Sequence, residues 1–467
     1  METIDEVAIT NHAPLPNQGI SECRSSCDLL SVLVNRKSNH TMARSAMATI
    51  QHHFLSCRED FEMTRMPFSI WLVVTFFLAV PFIGQLSEVV SKRSLYADAG
   101  KAERGRMMGP SWRISSGVAP VTGPPAAAID HRGRVHVIWT EQSISRGEKA
   151  TIQYSYYNGV RWSKPQVIAS SLAHQHEPHD YAVVTDAGNR VHVVWSEWYQ
   201  RGGHYLRFDG REWSVDQPVS PEFLGNVALA ADSKGSLFMT FVGAVEGRLS
   251  WHSLISPHES KREILEILHY ATLRDGRWSV LGKLDGAAAP QFGDSAIAVG
   301  ADEKVHVLYE RGTAYQASGI EYTVVYPTAT AGAKLTTREA YRPSIAVDNG
   351  GIVHCAWGDV GVSYCQIEHG LVKNRVDNLV PYGRAPAIVA DVGGRVHLAC
   401  LLIDEGRIGY MIRSNNRWTA MVKMGNNADM APALVADQHG NGYAFWVQDN
   451  KLYGHLMKAG DTVLRSR

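Results

Sequence analysis

The sequence predicts an all-β fold, a seven-bladed β-propeller preceded by an N-terminal transmembrane or signal helix. Three observations predict it. After about residue 125, a unit recurs seven times in which an apolar run ends in Asp-x-x-Gly and a strand of the form V-H-V-x-W follows. The anchors of that strand, His136, His192, Phe238, His306, His354, His397 and Tyr443, are 56, 46, 68, 48, 43 and 46 residues apart. Each unit then supplies a Tyr-centred strand, and several a Trp-containing one. A repeat of that length with four short strands is the signature of propeller blades.

Each strand has its own warrant. The first strands read PAAAID, YAVVTD, NVALAAD, SIAVD, AIVAD and ALVAD in units one, two, three, five, six and seven. Their aspartates, Asp130, Asp186, Asp232, Asp348, Asp391 and Asp437, can accept backbone N–H groups two or three residues on. Gly133, Gly235, Gly351, Gly394 and Gly440 follow where the turn needs positive φ, and unit two has Asn189 there. Unit four departs from the rule with Gly300 and Glu303. The second strands are nearly continuous apolar runs, which suits strands covered on both faces. The third carry Tyr154, Tyr205, Tyr270, Tyr322, Tyr364, Tyr410 and Tyr453; the fourth carry Trp162, Trp213, Trp278 and Trp418. Asn158-Gly159, Asp209-Gly210 and Asp275-Gly276 are hairpin signals. Unit seven stops after its third strand, and PSWRISSG, with Trp112, supplies the missing one. Residues 111–118 are therefore expected to close the ring.

Composition fits a propeller and excludes some partners. Lys plus Arg and Asp plus Glu both total 46, so there is no basic excess for nucleic acid. Twelve Trp and 18 Tyr supply the large groups that blade interfaces need. Cys23, Cys27 and Cys57 precede the repeats, and no second pair nearby completes a zinc site. Cys355 and Cys365 sit on successive strands of unit five, as a disulfide or as buried thiols.

Four segments are expected. Residues 1–66 have no periodicity and are expected to be poorly ordered; residues 67–86 form a hydrophobic span; residues 87–110 are a linker; residues 111–467 are the propeller. The span, PFSIWLVVTFFLAVPFIGQL, holds no charge and is long enough to cross a hydrocarbon core of about 30 Å. It reads as a transmembrane anchor, or, with a start at Met63 or Met66, as the hydrophobic part of a secretion signal. The propeller is expected outside the cytoplasm, membrane-anchored or secreted, because one N-terminal hydrophobic segment before a large folded domain usually exports that domain. The flanking charges, Arg58 and Arg65 against Lys92, Arg93 and Lys101, set no firm orientation.

Function is sought where the repeat breaks. Five equivalent anchor histidines, each in the same inter-blade niche and bonded to a neighbouring blade's backbone, read as packing, because a catalytic centre needs one constellation. The segment AHQHEPHDY, leading into unit two, gathers His174, His176, Glu177, His179 and Asp180. His176, His179, Asp180 and Arg342 are the catalytic candidates, as acids, bases or anion-binding groups. His174, Glu177, Glu141, Glu197, Trp198, Arg201, His204, Glu310 and Arg384 are ligand-binding candidates on the same predicted face. Arg342 and Arg384, just before Pro343 and Pro386, can meet a carboxylate or sulfate on a sugar. No ligand spacing for a metal and no cofactor motif is matched.

The D-x-x-G-x-x-H-V-x-W units and the turns NGVRWS, DGREWS and DGRWS resemble the BNR-repeat, sialidase-like propeller superfamily over residues 111–467. The turns look like degenerate Asp-boxes. Tyr341-Arg342-Pro343 is similar to the first arginine motif of sialidases, without its Ile; no triad and no Tyr–Glu pair follows, and seven blades replace six. The resemblance implies a propeller that binds a glycan or protein ligand through its loop-rich face. Its alternatives are a polysaccharide-active enzyme, lyase or sialidase-like glycoside hydrolase, and a non-catalytic interaction scaffold. Oligomeric state is not specified by the sequence.

Overall fold

The computed structural model describes residues 111–459 apart from 143–148, 173–177, 198–202, 221–222, 247–263, 275, 285–293, 314–315, 331 and 337–338. The expectations for residues 1–110, the hydrophobic span 67–86 among them, lie outside the described residues. Among the described residues no helix is long and apolar enough to cross a membrane.

Seven antiparallel sheets form, each of at least four strands, and in all but the seventh the strands run in sequence order from inside to outside. The inner strands are Ala126–Ile129, Pro178–Thr185, Phe223–Ala231, Ser295–Val299, Tyr341–Val347, Gly383–Ala390 and Ala433–Ala436. Each touches the inner strand of the next blade, and the seventh touches the first, so the ring is closed. The closure is the one the Trp112 segment predicts. Trp112 and Arg113 pair with Gly454 and Tyr453 as the outer strand of blade seven. Ile114 N–H donates to Leu452 O at 2.9 Å, and Ser115 Oγ accepts from Leu452 N–H at 3.0 Å.

The repeat residues build each blade in the same way. Asp130 caps its turn: Oδ1 accepts from Arg132 and Arg134 N–H at 3.0 and 2.8 Å, and Oδ2 takes the Arg134 guanidinium at 2.6 Å. The turn's last position has φ between 60° and 85° in Gly133, Asn189, Gly235, Glu303, Gly351, Gly394 and Gly440. In blade four the positive φ therefore falls on Glu303, a strained choice that the sequence does not advertise. The described residues of the second strands are almost all buried, and Trp139, Trp357 and Trp446 are among the largest fully enclosed side chains. Each such ring removes an area worth roughly 4–6 kcal/mol of gross transfer free energy.

Blade contacts are aromatic and directional. The edge of Tyr154 meets Trp213 of the next blade at 5.0 Å and 87°; Tyr205–Trp278 and Tyr364–Trp418 repeat that geometry. Cys355 and Cys365 are directly opposite on adjacent strands, both buried and both free thiols. Burial, together with the Cys365 neighbour, holds the Cys355 thiol well above its usual range.

Candidate functional site

The anchor histidines form a structural belt, but not with the partner the sequence suggests. Their bonds stay within their own blade instead of reaching a neighbour's backbone. His136 Nδ1 meets Tyr154 Oη at 2.8 Å and its Nε2 faces Asp130 Oδ2 at 3.4 Å. His192 joins Tyr205 and Asp186, His354 joins Tyr364 and Asp348, and His397 joins Tyr410 and Asp391, all between 2.5 and 3.2 Å. His306 keeps only the tyrosine, Tyr322, at 2.7 Å, because Gly300 replaces the aspartate. In blade seven Tyr443 stands in for the histidine and donates to Asp437 at 3.2 Å. The strand register supplies the partner diagonally: Tyr154 faces Ile138, two residues beyond His136, and its hydroxyl reaches back to the anchor ring.

Burial disfavours the charged form of four of these rings. It lowers the His136, His192 and His354 pKa against the opposing pull of their aspartates, and takes His306, which has none bonded, to about 4. Burial pushes the Asp130 carboxyl up, but the His136 bond and the Arg134 contacts outweigh it and hold the group at about 2.

The sheet order puts second-to-third-strand connections and blade-to-blade connections on one face. The candidates expected there divide sharply. His174, His176, Glu177, Trp198 and Arg201 lie outside the described residues, as do the side chains of His179 and Glu197. Glu141 is buried and accepts the Trp139 indole N–H at 2.9 Å, and burial raises its carboxyl against that bond. Trp446 and Gln448 make the same contact in blade seven at 3.3 Å, so Glu141 serves its own blade's packing. His204 is stacked on Trp195 at 4.9 Å, and its Nδ1 lies 2.7 Å from Asp216 Oδ2 with both side chains partly exposed. Asp180 Oδ2 accepts from Asn226 N–H at 3.0 Å and so ties blade two to blade three.

Glu310 and Arg342 come together at the junction of blades four and five. Glu310 lies in the second strand Val305–Thr313, is 2% exposed, and its Oε1 accepts from Arg342 N–H at 2.8 Å. Its Oε2 is buried without a hydrogen-bond partner. Burial first, then Asp294, push this carboxyl up to about 9 against the pull of Arg342, so it is a neutral acid at neutral pH. Arg342 has φ 49°, in the left-handed region, and its side chain is exposed. Such a conformation costs a β-carbon residue about 1–3 kcal/mol. Tyr341 beside it bonds Glu339; burial, Glu339 and Glu310 push its hydroxyl up to about 12.

The two arginines are not equivalent. Arg342 directly precedes Pro343 and is itself the left-handed residue; in blade six that place belongs to Ala385, φ 48°, and Arg384 stands one residue earlier, exposed. Asn226, φ 50°, has the same place in blade three. Counting six residues back from each first-strand turn gives Pro124, Asp180, Asn226, Asp294, Arg342, Ala385 and Ala431 around the ring. Blades two to five are thus polar there, and blades six, seven and one are not.

Comparison with known proteins adds the fold's company. No protein-family model and no curated protein matches the chain. A lectin from Burkholderia pseudomallei is similar in structure with a TM-score of 0.55 at 12% identity, covering 73% of this chain and 97% of the lectin. An ulvan lyase of a new polysaccharide lyase family, bound to a GlcA(1-4)Rha3S repeat, matches with a TM-score of 0.50 at 8% identity, over 75% of this chain and 96% of the lyase. A Hadza microbial sialidase is looser, with a TM-score of 0.40 at 14% identity over 70% and 78% of the two chains, and adds no weight. What this chain shares with the lectin and the lyase is the architecture of a β-propeller.

Proposed function

We propose that this propeller binds an acidic glycan through its loop-rich face, over the polar arc of blades two to five. The observation that supports the reading best is the exposed Arg342 guanidinium, carried on a left-handed inner-strand turn above a buried neutral carboxyl. Arg384 on the next inner strand adds a second exposed fork. Two forks on one rim suit planar anions such as uronate carboxylates or sugar sulfates. The degenerate Asp-box turns and the lectin and lyase of like architecture fit the same reading. In this proposal residues 67–86 tether or export the domain, residues 111–467 form the recognition unit, and the propeller works outside the cytoplasm.

Binding of the full chain, in mild detergent, to chondroitin sulfate, polygalacturonate and uncharged dextran tests the reading. Expected are saturable binding to an acidic polymer but not to dextran, and a loss of about tenfold or more in R342A and R384A. Equal affinity for dextran, or no effect of either substitution, overturns it. A second reading, a polysaccharide-active enzyme, is favoured by His204 and Asp216, a partly exposed base-and-carboxylate pair on blade two. New reducing ends or unsaturated uronate that disappear in H204A would select that reading.

A further inference from the structure

Glu310 is out of keeping with its own repeat. The residue four after each anchor is Thr140, Ser196, Val242, Glu310, Gly358, Leu401 and Val447. This position abuts the next blade's inner strand. Thr140 lies by Tyr181, Ser196 by Gly225, and a Cβ on Gly358 would stand 3.8 Å from the Ala385 amide nitrogen. Blade six thus makes its left-handed turn at Ala385 beside a position of blade five, Gly358, that carries no side chain. At the blade two–three junction the equivalent N–H, of Asn226, is held by Asp180 of the inner strand, so the ring does not require a carboxyl on the second strand, and burying one with an unpartnered oxygen is costly. Resting on the acidic-glycan reading, we propose that Glu310 is the positioning residue of that site: it fixes the Arg342 backbone by its N–H while leaving the Arg342 guanidinium uncompensated for an anionic ligand.

The charge state decides whether this works. An ionised carboxylate so close to Arg342 would neutralise the guanidinium and repel an incoming anion. A neutral acid keeps the acceptor oxygen and withholds the charge. The groups that face Glu310 are Asp294 from blade four and Arg342 and Tyr341 from blade five. Arg311, its neighbour in sequence, is engaged on the other side of the strand, where it and Tyr309 bond Glu321. Asp294 helps keep the proton on Glu310, and the Tyr341 hydroxyl, held at about 12, does not titrate in the range that matters.

The test is the affinity of the full chain for a chondroitin sulfate hexasaccharide at pH 7.5 and pH 10, in the parent, E310Q, E310A and R342A. E310Q retains a neutral acceptor and carries every lysine of the parent, so it isolates the one proton. Expected is affinity about tenfold weaker at pH 10 in the parent, as the neutral fraction falls, and a change under about twofold in E310Q. E310A is expected to bind more weakly at both pH values, since nothing then pins the Arg342 amide. If R342A abolishes binding but E310Q falls with pH as the parent does, or E310A binds like the parent, Glu310 is not the positioning residue and only this inference fails. If the parent does not bind at pH 7.5, the acidic-glycan reading fails and takes this one with it.

Discussion

The anchor histidines and Glu310 are buried titratable groups on second strands, and burial pushes His136, His192, His306, His354 and Glu310 toward their neutral forms. There the likeness ends. Each histidine has its tyrosine and, in four blades, its aspartate; Glu310 has one N–H and an orphan oxygen. The histidines recur in five blades, and Glu310 occurs where six blades do without. Repetition with satisfied bonds marks packing. A single unsatisfied departure marks a group whose presence the fold does not explain.

Stability against pH is the largest way to separate them. Unfolded histidines take up protons near pH 6.5, whereas folded His136, His192 and His354 resist until lower pH, and His306 until about 4. The stability they contribute is complete above pH 6.5 and is lost as pH falls from there toward 4. For His306 alone the loss is about 3 kcal/mol, and His136, His192 and His354 add in the same direction. Urea midpoints that do not fall between pH 7 and pH 4.5 would break the claim that the belt is neutral and structural.

Glu310 has the opposite slope. Its folded pKa is raised, so it costs nothing below the ordinary carboxylate range and removes stability as pH rises from there toward 9. E310Q should therefore gain on the parent by at least about 1 kcal/mol between pH 4.5 and pH 8, read from the same urea curves. A constant difference across that range would mean that the carboxyl ionises like a surface group.

The smallest effect lies within the belt. Gly300 does not need positive φ, and a Cβ there would lie 3.4 Å from His306 Nε2. The near contact with Asp302 Oδ1 is with the end of a flexible side chain. G300D should give His306 the missing aspartate, raise its titration point in NMR, and add about 0.5–1 kcal/mol at neutral pH. No movement of the His306 signal would show that Gly300 and the aspartates of the other blades are not equivalent.

The architecture was legible because it is periodic. Seven anchors, six aspartates and a displaced Trp strand specified seven sheets and their closure, and the apolar second strands announced burial on both faces. The site was legible only as a set of addresses. Glu310 and Arg342 were among thirteen candidates, and nothing local in VLYERG or YRPS says that one residue's carboxyl meets the other's amide across a blade junction. Aligning the units at the fourth residue after each anchor would have singled out Glu310. The left-handed turn at Arg342 would still have escaped, since Arg carries no signal for it and the Ala at the same place in blade six carries none either. His136 misled in a different way. Its niche was right, but its tyrosine partner depends on strand register, which the repeat spacing does not encode.

The pairing of Trp112 with Gly454 has a consequence for synthesis. The first strand of the ring to leave the ribosome is among the last to find its partner, some 340 residues later. At ordinary elongation rates that delay is on the order of tens of seconds. Throughout it, blade one must wait beside an unfinished neighbour with its aromatic flank uncovered. A chaperone that shields that flank, or a compartment in which the chain is delivered already complete, would shorten or cover that exposure.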